Sequence, residues 1–190
     1  MEQSVRVAII SDTHGELDQR IVRMIARCDC VAHAGDLGSR AVVALMRPAS
    51  SVTAIVRGNN DVPAKWADAD QRYLTELPLE ATLDLPGGQL QIVHGDKAGS
   101  VKRRHDWLRE HYPLARAIVY GHSHRLAVDT SACPWVLNPG VAGVARTFGG
   151  PSMLILTVRG EDWSVESMRY ELPGQRSVGV GGLMGGLNKA

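Results

Sequence analysis

Apolar positions fall into short runs, and each early run ends in a polar turn. Residues 5–10 read VRVAII, apolar and β-branched, which predicts a buried strand. The polar turn SDTHGEL follows. In LDQRIVRMIA, residues 17–26, Leu17, Ile21, Met24 and Ile25 stand at helical spacing. CVAHAGD, residues 30–36, is a second strand closing on a Gly-Asp turn. SRAVVALMR, residues 39–47, is helical in period, with Ser39 in N-cap position and Pro48 as its stop. VTAIV, residues 52–56, is a third strand, and RGNND follows at once. Strand, polar turn and helix in repetition predict a parallel βαβ sheet.

The pattern then changes. ATLDL and QLQIVHGD flank PGG, a turn signal, and predict a hairpin. A charged helix, KRRHDWLREHY, is expected over about 100–111, and ARAIVYG predicts a further strand. Four later runs, LAVDT, WVLNP, SMLILTV and WSVESMRY, are separated by turn residues and suggest antiparallel strands. The Gly-rich segment 173–190 has no period. The expected organisation is one domain over 1–172 and a flexible tail over 173–190.

Composition narrows the function. A length of 190 residues suits one domain. With 21 basic and 20 acidic side chains, the chain lacks the basic excess of a dedicated nucleic-acid or membrane-surface binder. The three cysteines and an N-terminus unlike a signal sequence fit a reducing cytosol, so a cytoplasmic location is expected. Cys28 and Cys30, two positions apart, are expected to share one strand face as small core residues. No run reaches the ~18 apolar residues of a membrane span.

The chemistry lies in the turns. Asp12 and His14 follow the first strand, Asp36 the second, and Asn59, Asn60 and Asp61 the third. His94 and Asp96 end the hairpin strand, and His122 and His124 follow the next one. In α/β sheets, ligands bind at the carboxyl ends of strands. Any one of these residues has an ordinary turn or capping role available; the recurrence at five successive strand ends is what points to a single site. Asp12, His14, Asp36, Asn59, His94, His122 and His124 outnumber the four ligands of a single zinc site. Their mixed oxygen and nitrogen donors suit Mn, Fe, Co, Ni or Zn better than Ca or Mg. A carboxylate shared by two ions holds them ~3.5–4 Å apart, as in phosphatases and nucleases. Asp36, alone in its turn and between the others in chain order, is the candidate bridge.

The series D-x-H (Asp12, His14), G-D (Gly35, Asp36), G-N-x-D (Gly58, Asn59, Asp61), H-G (His94, Gly95) and G-H-x-H (Gly121, His122, His124) resembles the calcineurin-like metallophosphoesterases. The short length, the order of elements and Asn138-Pro139-Gly140 are similar to the small prokaryotic YfcE-type branch. The resemblance implies a four-layer α/β/β/α sandwich with a dinuclear metal site at the C-terminal edge of its strands. It implies one ion on Asp12, His14, Asp36 and His124, and a second on Asp36, Asn59, His94 and His122. Asp36, Asn59 and His122 carry over as catalytic residues, and a hydroxide bridging the two ions would attack phosphorus. The implied cofactors are two divalent ions, with manganese first and iron, nickel, cobalt or zinc as alternatives. The implied partner is a small phosphorylated or phosphodiester substrate. No membrane partner and no dedicated nucleic-acid binding are expected, and a homo-oligomer is left open.

Two positions depart from the family pattern. Asn60 stands where many relatives have a histidine that protonates the leaving group, and Asp96 stands where relatives often have histidine. His33 is expected to hold a ligand in place rather than to ligate. Asp61 and Asp96 are weaker candidates around the site, and His105, His111, Arg103 and Arg104 are expected on a solvated helix face. Arg57, Arg125 and Arg146 flank the motif turns, and Arg146 is kept as a candidate phosphate contact. The leading function is a metal-dependent phosphoesterase favouring diesters. The alternative is a non-catalytic metal-binding or scaffold protein on the same fold.

Overall fold

The computed structural model describes residues 4–50, 52–100 and 102–172; the segment expected to form a flexible tail lies outside the described residues. The first sheet contains β1 (Val5–Ile10), β2 (Cys30–His33), β3 (Val52–Ile55), β9 (Ser152–Arg159) and β10 (Asp162–Arg169), in the order β10-β9-β1-β2-β3. β1, β2 and β3 are parallel, and β9 returns antiparallel beside β1. The second sheet contains β4 (Glu80–Leu85), β5 (Gly88–Val93), β6 (Ala117–Val119), β7 (Leu126–Asp129) and β8 (Trp135–Pro139), in the order β4-β5-β6-β8-β7.

Alternation of side chains along the strands builds the layers. In β1, Val7 and Ile9 face the second sheet, while Ala8 and Ile10 face helices α1 (Gln19–Ile25), α2 (Arg40–Leu45) and α3 (Gln71–Glu76). β9 divides likewise, Leu154, Leu156 and Val158 packing inward and Met153 and Ile155 outward. The far face of the second sheet, with Val93, Ile118 and Val136, packs on Leu108 of α4 (Arg104–His111). The result is the expected α/β/β/α sandwich.

Several local expectations are corrected. The four late runs pair antiparallel as expected, β7 with β8 and β9 with β10, but they do so in different sheets, and β8 also pairs parallel with β6. Pairing partners are set by the stacking of the sheets, which strand periodicity does not encode. α1 starts after Asp18, whose carboxylate caps it by accepting the Arg20 N–H at 2.8 Å, so Leu17 packs from before the helix. α3, preceded by 3₁₀ turns at Pro63–Lys65 and Asp68–Asp70, lies where no element was expected; its six residues carry one fully buried anchor, Leu74, too few to show a period. Cys28 precedes β2 and joins the helix-side core, whereas Cys30 joins the inter-sheet core, so the thiols do not share a face. Arg104 is buried against Tyr120, with its guanidinium 5.8 Å from the ring centre, rather than solvated. His105 bridges Asp129 at 2.7 Å and the Tyr120 hydroxyl at 3.0 Å.

Candidate metal centre

The parallel strands β1, β2, β3, β5 and β6 all end at the same rim, and the loops after them carry the candidate ligands. Two glycines let those loops meet. A Cβ on Gly58 would collide with the Asp36 carboxylate and backbone nitrogen; one on Gly121 would collide with Ser11 Oγ and lie 2.8 Å from Asp12 Oδ2.

Left-handed backbone conformations concentrate here. Among the described residues, the non-glycine positions with positive φ are Asp12 (54°), His14 (48°), Asp36 (58°), His122 (61°), His124 (57°) and Arg146 (54°). Five of the six are candidate ligands. Such conformations cost about 1 kcal/mol or more each and cluster at functional sites. Asp and His tolerate this region better than most residues, which limits the cost.

Donor atoms converge in two groups that share Asp36. In the first, ligand atoms of Asp12, His14, Asp36 and His124 all lie within 4.8 Å of one another. His124 Nε2 is 3.3 Å from Asp12 Oδ1 and 3.3 Å from His14 Nε2, and His14 Nε2 is 3.9 Å from Asp36 Oδ2. In the second, Asn59 Oδ1 lies 2.9 Å from His94 Nε2 and 3.0 Å from His122 Nδ1, and His94 Nε2 is 3.5 Å from Asp36 Oδ1. The two Asp36 oxygens thus point to different groups. Asp12 Oδ1 is buried and has no hydrogen-bond donor. A buried carboxylate oxygen left so is costly unless a cation meets it. That orphan oxygen, facing two imidazoles, fits a divalent ion.

Electrostatics agree with cation binding. Burial lowers the pKa of His14 and His122, leaving their rings neutral and able to ligate. Burial pushes the Asp36 carboxyl up, but His94, two hydrogen bonds from Asn60, and His14 outweigh it and hold it below the usual carboxylate range. His124 departs from this: the Asp12 carboxylate, with Oδ1 3.3 Å from His124 Nε2, raises its pKa.

The supporting residues take distinct places. Asn60 donates from its backbone N–H to Asp36 Oδ1 at 2.8 Å and from Nδ2 to Oδ2 at 2.7 Å, so its carboxamide holds Asp36. Asp61, buried, accepts from the N–H groups of Leu37, Gly38 and Gly58 and from Trp66 Nε1, tying the second and third loops together. His33 is fully buried; its Nδ1 accepts from Gly35 N–H at 3.1 Å and its Nε2–H faces Thr13 Oγ1 at 3.0 Å, since that hydroxyl donates to Leu37 O. Burial lowers its pKa to about 4. Arg146 places Nη2 3.3 Å from the His14 ring nitrogens on the open side of the site. Asp96 is exposed and lines a cavity beside His94 rather than joining either donor group. Asn138 supports the site: it donates to Gly121 O and Ser123 Oγ, fixing the turn between the last two histidines. Its signal in the sequence is a lone carboxamide ending the apolar run WVLNP.

A two-sheet α/β sandwich with carboxylates, an amide and imidazoles gathered at its strand ends defines a fold class with a candidate metal-binding rim. The family model for the calcineurin-like phosphoesterase superfamily domain matches residues 5–161, and the chain belongs to that superfamily. No curated protein matches the sequence. Among solved structures, the chain is similar to a Streptococcus pneumoniae protein described as a predicted phosphoesterase, at 20% identity and TM-score 0.61 over 92% of this chain and 96% of that one. It is similar to zinc-complexed Vps29 of Entamoeba histolytica, at 17% identity and TM-score 0.68 over 87% and 98%. A Thermotoga maritima protein solved by solution NMR shares 25% identity at TM-score 0.61 over 87% and 99%. These likenesses show a shared fold.

Proposed function

We propose that the chain is a divalent-metal-dependent phosphoesterase, acting on small phosphodiesters in preference to monoesters, in the cytoplasm. The observation that carries this reading is the pair of donor groups sharing Asp36, with the Asp12 Oδ1 atom buried and without a donor. Asp12, His14, Asp36 and His124 would hold one ion, and Asp36, Asn59, His94 and His122 a second. Manganese is the first candidate; zinc gains support from the zinc-complexed Vps29 neighbour. When bound, such ions supply Lewis acidity at phosphoryl oxygens and lower the pKa of water toward neutrality.

The chain's own residues do the rest. Asp36, held by Asn60, fixes the separation of the two donor groups. Neutral His14 and His122 present lone pairs to cations. Arg146 stands on the open side, where its guanidinium would grip a phosphate oxygen of the substrate. Asn60 is tied to Asp36 and has no acidic proton to give a leaving group.

A second reading has specific support: neighbours of comparable TM-score carry the name vacuolar protein sorting 29, which speaks of sorting rather than hydrolysis. On that reading the fold is a scaffold and the site a metal binder. The completeness of the donor groups favours the enzyme. The deciding experiment is turnover of aryl diesters, monoesters and cyclic nucleotides after exhaustive chelation and after addition of Mn, Ni, Co, Zn or Mg. The enzyme reading expects activity that vanishes on chelation and returns best with a transition ion. Metal binding without turnover of any phosphoester would favour the scaffold.

A further inference from the structure

A small cavity of about 140 Å³ opens beside the second donor group, with Asn59 and His94 among its lining. Val93, Ala98, Trp107 and Tyr112 contribute apolar and aromatic walls, Val93 and Ala98 being buried. These walls are fixed. The Trp107 indole stacks on His111 with centroids 3.5 Å apart, and His111 Nδ1 bonds back to Trp107 O at 2.8 Å. The Tyr112 hydroxyl donates to Glu80 Oε1 at 2.8 Å.

Size and charge restrict the occupant. Pockets that take whole drug-sized ligands run to ~300–1,000 Å³, whereas an apolar cavity of about 150 Å³ holds one benzene ring. Arg57 and Lys97 on the lining are balanced by Glu80 and Asp96, so the pocket has no net charge to attract a second phosphate. Rigid aromatic walls select flat faces. We infer that this cavity is the subsite for the substrate's ester group and that it takes a single flat, uncharged ring. The inference rests on the phosphoesterase reading for the position of phosphorus, at the Asn59 and His94 mouth.

The test compares phenyl-, cyclohexyl- and methylphosphonate, whose carbon–phosphorus bonds resist hydrolysis, by calorimetry on the manganese-loaded full chain. Phenylphosphonate should bind about tenfold tighter than methylphosphonate, and cyclohexylphosphonate should gain less. Trp107→Ala should erase the phenyl advantage, and so should Leu79→Trp, which puts bulk into the cavity from an exposed lining position. Thermal melts check that both variants fold. Equal affinity for the phenyl and methyl compounds overturns the subsite, as does a phenyl advantage that survives both substitutions; equal phenyl and cyclohexyl affinity overturns its preference for flat rings. An arm with phenol alone does not depend on phosphorus. Followed by NMR, phenol should shift the Trp107 indole and Val93 methyl signals and leave those of Trp66 and Trp163 in place. Failure of every phosphonate to bind, with the phenol shift intact, counts against the phosphoesterase reading and keeps the ring pocket; no phenol shift at Trp107 removes the pocket whatever the phosphonates do.

Discussion

At the scale of single residues, Asp36 is distinguished from Asp96 by contact. Asp36 is buried with an oxygen toward each donor group, whereas Asp96 is exposed and touches neither. Asp36→Asn should therefore lose bound metal and at least ~10²-fold in turnover, on the scale of losing an electrostatic group at a reacting centre. Asp96→Asn should keep its bound metal; metal analysis beside kinetics checks both, and equal losses of metal would move the bridge elsewhere. Asn60 makes a different prediction. Its carboxamide, bonded to Asp36 and to the Lys65 ammonium, has no acidic proton to give, and a general acid is typically worth ~10²–10⁴-fold for a poor leaving group. Rates across a substrate series should fall steeply with leaving-group pKa, and a shallow wild-type slope would mean that another group supplies the proton. His33, neutral because it is buried, acts through stability. Its folded pKa of about 4 lies below the ordinary 6.5, so below pH 6.5 the unfolded chain binds the proton more tightly. Its contribution is complete above pH 6.5 and is lost as pH falls to about 4, roughly 3 kcal/mol in all. Asp36, depressed below 3.8, extends the loss to lower pH. Urea unfolding of the metal-free protein against pH should slope downward over that window.

At the scale of elements, the loops after β2 and β3 are one unit because Asp61 accepts three backbone N–H groups and an indole N–H. Asp61→Ala would leave those buried donors unpaired and should cost about 3–5 kcal/mol in urea unfolding, loosening Asp36 and Asn59 with it. A loss within 1 kcal/mol would show that water replaces the carboxylate. The position of Asp61 was legible in the sequence, but its work was not, since its partners Leu37 and Gly38 lie 24 and 23 residues away. The candidate ligands were legible for the opposite reason: each stands directly behind an apolar run, so strand period and chemistry appear together. The parallel strands were readable where both faces are apolar, as in VRVAII. Six-residue α3 was not, having a single deep anchor. The helix α4 was placed well, yet its charged face misled. Arg104 is covered by Tyr120, and His105 is drawn, with Arg109 of the same helix, to Asp129, which arrives on β7. The ring-sized cavity was equally invisible, being assembled from the loop after β3, the end of β5 and α4.

At the scale of the molecule, each donor group takes members from both sheets. Asp12, His14, Asp36 and Asn59 follow strands of the first, and His94, His122 and His124 follow strands of the second. Metal binding should therefore stabilise the whole sandwich. At a free concentration 100 times Kd the gain is about 2.7 kcal/mol, or roughly 5–10 °C in Tm for a chain of this size. Chelation should reverse the shift and Asp12→Ala should abolish it; a melt insensitive to manganese would argue that no ion spans the donor groups. The seam has a mechanical side as well. Away from this rim the sheets meet through aliphatic side chains such as Val7, Leu90, Ala117 and Leu156, which can slide past one another without breaking a directional bond. An ion at the rim would act as a rivet through two plates, resisting shear at one end and leaving the other free to splay. Pulled apart in an optical trap by handles on Arg6 and Asp84, one in each sheet, the protein should yield at higher force with manganese than with chelator.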